Sequence, residues 1–216
     1  MLEPLEAAGD SGPLAPAADI AYVGAVLANV KQAVGTALGR PRRWRFLERL
    51  PEDAVGAEIG VFRGEFTPHL LRVTRPRRLH LIDGWWTLYG ERYPDWGVYT
   101  QRGRLTTRRA YDEARRAADE RCSFHVGNDL DILRGFPEGH FDWVYLDTSH
   151  QYEHTVAELD LLRTRAKLIC GDDWVEDQSS VNHGCSLAIR DFCARYKWTV
   201  DEIDSFGQWL IKPSAH

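Results

Sequence analysis

The chain has 216 residues, 44% hydrophobic and 27% charged, the composition of one globular domain with a sizeable core. A net charge of −5 argues against a general nucleic-acid binder, and no apolar run approaches the roughly 20 residues a membrane span needs. The N-terminus opens on acids, prolines and small residues rather than a basic-then-apolar signal, so a soluble cytoplasmic protein is the expectation.

Residues 1–18, rich in Pro, Gly and Ala, read as a flexible tail. Residues 19–50 read as accessory helices. The first runs from Asp19 to Leu38 with Ile20, Val23, Leu27, Val30 and Val34 at helical spacing, and a second short helix spans Trp44 to Arg49. The first either packs on the domain, covers an acceptor site or joins a homo-oligomer. From 51 to 216 apolar runs alternate with helix-period segments, the pattern of a parallel sheet flanked by helices.

The predicted strands are Ala54–Ile59, Arg78–Asp83, Ser123–Val126, Phe141–Asp147, Leu168–Cys170, Trp198–Ile203 and Gln208–Ile211. Helices fall between them near Phe66–Val73, Leu105–Arg121, Leu130–Leu133, Gln151–Arg165 and Cys185–Tyr196. The last two strands bracket Asp204-Ser205-Phe206-Gly207, a hairpin turn. The expected fold is therefore α/β: a Rossmann-like three-layer sandwich with a seven-stranded, mostly parallel sheet and a C-terminal antiparallel hairpin strand. Cys122, Cys170, Cys185 and Cys193 lack C-x-x-C spacing and read as free thiols.

Ligands of such sheets bind beyond the C-terminal strand ends, near the switch point. After the first strand comes Glu58-Ile59-Gly60-Val61-Phe62-Arg63-Gly64, whose glycines let backbone approach a ligand closely. The turn lacks the G-x-G-x-x-G spacing of a pyrophosphate site, which disfavours an NAD(P)-dependent oxidoreductase. The second strand ends on Asp83, a carboxylate able to accept both hydroxyls of a ribose. Asn128 and Asp129 follow the third strand, with side chains suited to an adenine edge. Asp83 and Asp129 could equally be helix N-caps.

The fourth strand leads into Asp147-Thr148-Ser149-His150-Gln151-Tyr152-Glu153, and the fifth into Gly171-Asp172-Asp173-Trp174. Neighbouring strands would bring Asp147, Asp172 and Asp173 to one edge. Clustered carboxylates repel unless a cation binds, and oxygen ligands suit Mg²⁺. Such a cation stabilises an alkoxide, and His150, three residues after Asp147, could take the hydroxyl proton. A plainer reading leaves an Asp shaping the loop and His150 capping a helix. His125 reads as structural and His154 as a surface residue.

The segment from Ala57 to Thr67 resembles the first motif of class I S-adenosylmethionine-dependent methyltransferases, in the E-x-G-x-x-x-G form typical of the macrocin-type sugar O-methyltransferases. The terminal antiparallel strand fits that architecture. D-x-x-H followed by Tyr-Glu, then G-D-D, is similar to the metal-dependent members, whose catechol relatives carry a lysine in place of the histidine. The resemblance implies that Glu58, Gly60, Val61, Phe62 and Gly64 border the methionine part of S-adenosylmethionine, that Asp83 binds ribose, and that Asn128 or Asp129 faces adenine. It further implies Asp147, Asp172 and Asp173 as Mg²⁺ ligands and His150 as the base. A small-molecule hydroxyl is the expected acceptor, a sugar on a natural product favoured. Trp85, Trp86 and Tyr89, with His183 from the later loop, are candidate acceptor contacts, although the aromatics could simply pin their loop to the core. A phenolic acceptor, an NAD(P)-dependent enzyme and a non-catalytic cofactor binder remain as alternatives.

Overall fold

The computed structural model describes residues 43–180 and 182–215. The expected tail and the Asp19–Leu38 helix lie outside the described residues. The short helix predicted at Trp44–Arg49 is a 3-10 helix, Arg43–Arg49.

Seven strands form one sheet: β1 Val55–Ile59, β2 Arg78–Asp83, β3 Cys122–Val126, β4 Phe141–Leu146, β5 Ala166–Gly171, β6 Trp198–Ile203 and β7 Trp209–Pro213. Their spatial order is β3-β2-β1-β4-β5-β7-β6. The first five strands pair in parallel, while β7 runs antiparallel to both β5 and β6. The helices are α1 Thr67–Thr74, α2 Trp85–Tyr89, α3 Thr107–Ala117, α4 Asp129–Arg134, α5 Tyr152–Leu162 and α6 His183–Tyr196. All but α2 were legible as apolar periodicity. Five residues with three aromatics carry too little helical period to announce themselves.

The sheet is covered on both faces, as a mostly parallel sheet must be. One core joins Leu70 and Leu71 of α1, Ala110 and Ala114 of α3, and Trp143 and Tyr145 of β4. The other joins Leu133 of α4, Leu159 and Leu162 of α5, and Ile189 and Phe192 of α6 to Ala57, Ile59 and Val144. Strand β1 runs out to β2 and β3 on one side, and the chain then returns to place β4 on its other side. That switch point lies between the turn after β1 and Asp147. At the far end Asp204 closes the hairpin, its Oδ1 accepting from the Phe206 and Gln208 amides at 2.8 and 2.9 Å. No helix among the described residues is long and apolar enough to cross a membrane.

Candidate active site

Three strand ends extend their ladders by one residue and so fix the site's floor. The Gly60 amide donates to the Ile82 carbonyl at 2.9 Å, the Asp147 amide to Ile59 at 2.8 Å, and the Asp172 amide to Leu146 at 3.1 Å. Gly60 has φ +89°, and a Cβ there would stand 1.9 Å from the Asp147 carbonyl oxygen. The turn after β1 and the loop opened by Asp147 are thus in backbone contact, and only glycine admits that approach. Gly64 serves packing instead: a Cβ would lie 2.7 Å from Cα of Ala114 in α3.

Asp83 ties the turn together. Its Oδ2 accepts from the Phe62 amide at 2.7 Å and its Oδ1 from the Trp85 amide at 2.9 Å. Burial raises the Asp83 pKa, opposed by the N–H groups of Trp85, Phe62, Val61 and Gly84. A carboxylate offers about four lone-pair sites, so acceptor capacity remains for a ligand hydroxyl. Glu58 is buried and accepts from Thr67 Oγ1 at 2.6 Å. Burial pushes its carboxyl up to about 8, with Thr67 pulling the other way and the charges of Asp147 and Asp83 adding to the rise. Val61 is buried in the first core, and Phe62 turns through φ +52° to lay its ring against Tyr93, 5.0 Å between centroids.

Asn128 caps α4, its Oδ1 accepting from the Asp131 amide at 3.2 Å. Asp129 is the first residue of α4 and contacts His154 Nε2 at 2.8 Å. The cap of α4 is therefore Asn128 and not Asp129, the residue the plainer reading offered as a cap; Asp129 is engaged in an ion pair instead.

At the β4 and β5 ends, His150 stands between two carboxylates. Its Nδ1 is 3.2 Å from Asp173 Oδ2 and its Nε2 3.5 Å from Asp147 Oδ1. His150 and Asp173 have φ of +55° and +60°, a region that non-glycine residues seldom occupy and that clusters at functional sites. Ligand atoms of Asp147, His150 and Asp173 all lie within 4.8 Å of one another. Two carboxylates and an imidazole fit a divalent cation, and the imidazole widens the range beyond Mg²⁺ to Mn²⁺ and its neighbours. Asp172, the third acid of the expected trio, is not in that converging set. It is nearly buried, and its carbonyl accepts from Trp209 Nε1 at 2.8 Å, binding β5 to β7.

The aromatic segment after β2 divides into two roles. Trp85 is fully buried and donates from Nε1 to the Phe62 carbonyl at 2.8 Å, so it pins the turn as a core residue. Trp86 lies under the Arg108 guanidinium, 3.5 Å from the ring centroid. Tyr89 packs against Tyr93 and Trp96 at 4.9 and 5.3 Å, and with Phe62 these rings make an apolar wall beside the turn. Burial pushes the Tyr89 hydroxyl up to about 12, helped by the Asp83 and Asp129 charges. His183 opens α6 with Nδ1 3.1 Å from the Val175 carbonyl, engaged within its own loop.

His154 is only 28% exposed in its side chain and pairs with Asp129 and with the buried Glu158, so it is not a simple surface residue. Its i,i+4 spacing from Glu158 was the available signal. His125 is structural as expected, its Nε2 2.9 Å from His80 Nδ1.

A family model described as a methyltransferase domain matches residues 57–174. No curated protein matches the sequence. Among solved structures, the O-methyltransferase NovP superposes with a TM-score of 0.56 at 17% identity, over 80% of each chain. A precorrin-6y C5,15-methyltransferase from Geobacter metallireducens GS-15 gives 0.51 at 12% identity, covering 78% of this chain and 82% of that one. An O-methyltransferase from Bacillus cereus, in complex with SAH, gives 0.50 at 18% identity, covering 88% and 94%. At these identities the likeness is one of fold.

Proposed function

The chain belongs to the family of S-adenosylmethionine-dependent methyltransferase domains, and from that premise we propose that it methylates a hydroxyl oxygen of a small molecule with a divalent cation, Mg²⁺ or similar, held by the carboxylates of Asp147 and Asp173 beside His150, which serves as the base. A sugar carried by a natural product is the favoured acceptor, by resemblance to the D-x-x-H and G-D-D pattern. The observation that carries the proposal is the convergence of these three side chains on a loop in backbone contact with Gly60.

The chain's own groups divide the work. Glu58, Asp83 and Asp147 bring carboxyls to the strand ends around the turn, a setting that suits a cationic sulfonium cofactor and repels a pyrophosphate. Glu58, its carboxyl raised to about 8 by burial, is able to meet a cationic ligand by releasing its proton. The bound cation would stabilise the alkoxide as it forms. Asp173 beside Nδ1 favours the tautomer that leaves His150 Nε2 to take the acceptor's proton. S-adenosylmethionine, when bound, would supply the methyl group, its S–C bond breaking as the new O–C bond forms. The wall of Phe62, Tyr89, Tyr93 and Trp96 is suited to stacking on a sugar face. It suits a phenol as well, so a phenolic acceptor is the second reading.

Calorimetry with S-adenosylhomocysteine and with NAD tests the cofactor. Binding of the first alone is expected, and binding of NAD alone would overturn the reading. Turnover on a panel of sugar and phenolic acceptors should vanish in EDTA while S-adenosylhomocysteine affinity stays within about twofold. Full turnover in chelator would remove the metal from the mechanism.

A further inference from the structure

Helix α5 carries a charge cluster that the methyl transfer does not use. His154 Nε2 lies 2.8 Å from Asp129 Oδ2 and 3.6 Å from Glu158 Oε1. The Glu158 side chain is fully buried, and its other oxygen accepts from Thr148 Oγ1 at 3.1 Å. Asp129 stands beside Asn128 where the loop after β3 enters α4, and Thr148 stands between Asp147 and His150 on the loop after β4. A chain of polar contacts therefore runs from one loop, through one turn of α5, to the other.

We propose that His154 is a positioning residue whose ion pair with Asp129 and Glu158 couples the loop at the adenine end of the cofactor cleft to the loop that carries Asp147 and His150. This rests on the cofactor and cation sites proposed above. The imidazole and Glu158 are set four residues apart on one helix, so the backbone of α5 fixes their separation. Asp129 is then held by the ring from one side, and Thr148 by the second oxygen of Glu158 from the other. Without the ring, two carboxyls would face each other in a largely buried space, which forces one to protonate or to move. The titration behaviour agrees with an ion pair between His154 and Asp129, while burial pushes the Glu158 carboxyl up to about 7, with His154 pulling it back down. Hydrogen bonds to Asp129 and then Glu158 raise the His154 pKa, and the Asp129 carboxyl is held low against its burial. The three groups also lie within 4.8 Å of one another, as metal ligands would. The 2.8 Å contact already engages His154 Nε2 with Asp129, however, so the ion pair occupies this place.

The experiment measures Mn²⁺ affinity by electron paramagnetic resonance, with and without saturating S-adenosylhomocysteine, in the wild type, His154→Ala and Thr148→Val. Val keeps the shape of Thr and removes only its hydroxyl, so it guards against a misfolded alanine variant. In the wild type the cofactor product should tighten Mn²⁺ roughly 5–50-fold, within the usual range of coupling between sites. In both variants the ratio should fall to within about twofold of one while each ligand still binds. Variants that keep the wild-type ratio, or a wild-type ratio near one, would overturn the coupling. A wild type that fails to bind S-adenosylhomocysteine, or binds it but never Mn²⁺, would instead overturn the cofactor or cation site, and this proposal with it.

Discussion

Substituting Gly60 by alanine tests the contact on which the site is built. The new Cβ would lie 1.9 Å from the Asp147 carbonyl oxygen and 2.5 Å from its carbonyl carbon, with φ at +89°. Neither side has room to yield, because Gly60 N–H is bonded to Ile82 and Asp147 N–H to Ile59. A left-handed backbone costs an L-residue about 1–2 kcal/mol, and overpacking adds about 1–3 kcal/mol. The total of roughly 2–5 kcal/mol corresponds to a melting temperature lower by roughly 5–15 °C for a domain of this size. Gly90→Ala is the control. That glycine has φ +69° but nothing within 4 Å of its would-be Cβ, so it isolates the backbone term. Its expected loss is about 1–3 kcal/mol, since its ψ of −138° lies outside the ordinary left-handed well, with S-adenosylhomocysteine affinity unchanged. Thermal unfolding and calorimetry on both variants give the answer. A Gly60→Ala protein that melts no lower than Gly90→Ala and binds the cofactor product normally would refute the close approach of the two loops.

His150→Ala should lower turnover on the order of 10²–10⁴-fold with S-adenosylhomocysteine affinity nearly unchanged; near-normal turnover would remove His150 from the base role. A pH effect is expected far from the reaction. His140 Nε2 sits 3.3 Å from His80 Nε2, and His80 Nδ1 2.9 Å from His125 Nε2. Burial above all, with the charges of His125, His140 and Arg78 adding to it, lowers the His80 pKa to about 4. The ordinary histidine value is near 6.5. The folded state thus prefers the neutral ring, and its contribution is complete above about pH 6.5 and lost as pH falls towards 4. With solvent screening that amounts to roughly 1–2 kcal/mol between pH 7 and 5. The difference in unfolding free energy between wild type and His80→Leu should shift by that amount over this range. Parallel pH profiles for the two would show that His80 does not carry it.

The order of strands and helices was legible because each element writes its own period into the chain. Parallel strands bring their C-terminal ends to one edge, so Glu58, Asp83, Asp147, His150 and Asp173 could be assigned to a common rim from order alone. The departures came where two distant segments meet. In an extended chain successive side chains alternate, but the left-handed residue Asp173 breaks that alternation. It is therefore the backbone turn, invisible in the string G-D-D, that brings Asp173 rather than Asp172 into the set with Asp147 and His150. Trp85 and Tyr89 look equivalent in sequence, yet one donates to the turn from inside the core and the other joins the wall of rings.

What the amino-acid sequence determined by itself is the class of architecture, the turn from Glu58 to Gly64, and the inventory of acids and histidines at strand ends. Those follow from local periodicity and from the few residue types able to occupy a tight strand-to-helix corner. Only the tertiary structure decided which partner each polar group takes. Asp83 accepts from the turn's own amides, Asn128 caps a helix, and His154 reaches Asp129 across 25 positions of chain while Glu158 reaches Thr148. Hydrogen bonds and ion pairs are settled within about 3 Å by packing, and that distance has no counterpart along the sequence.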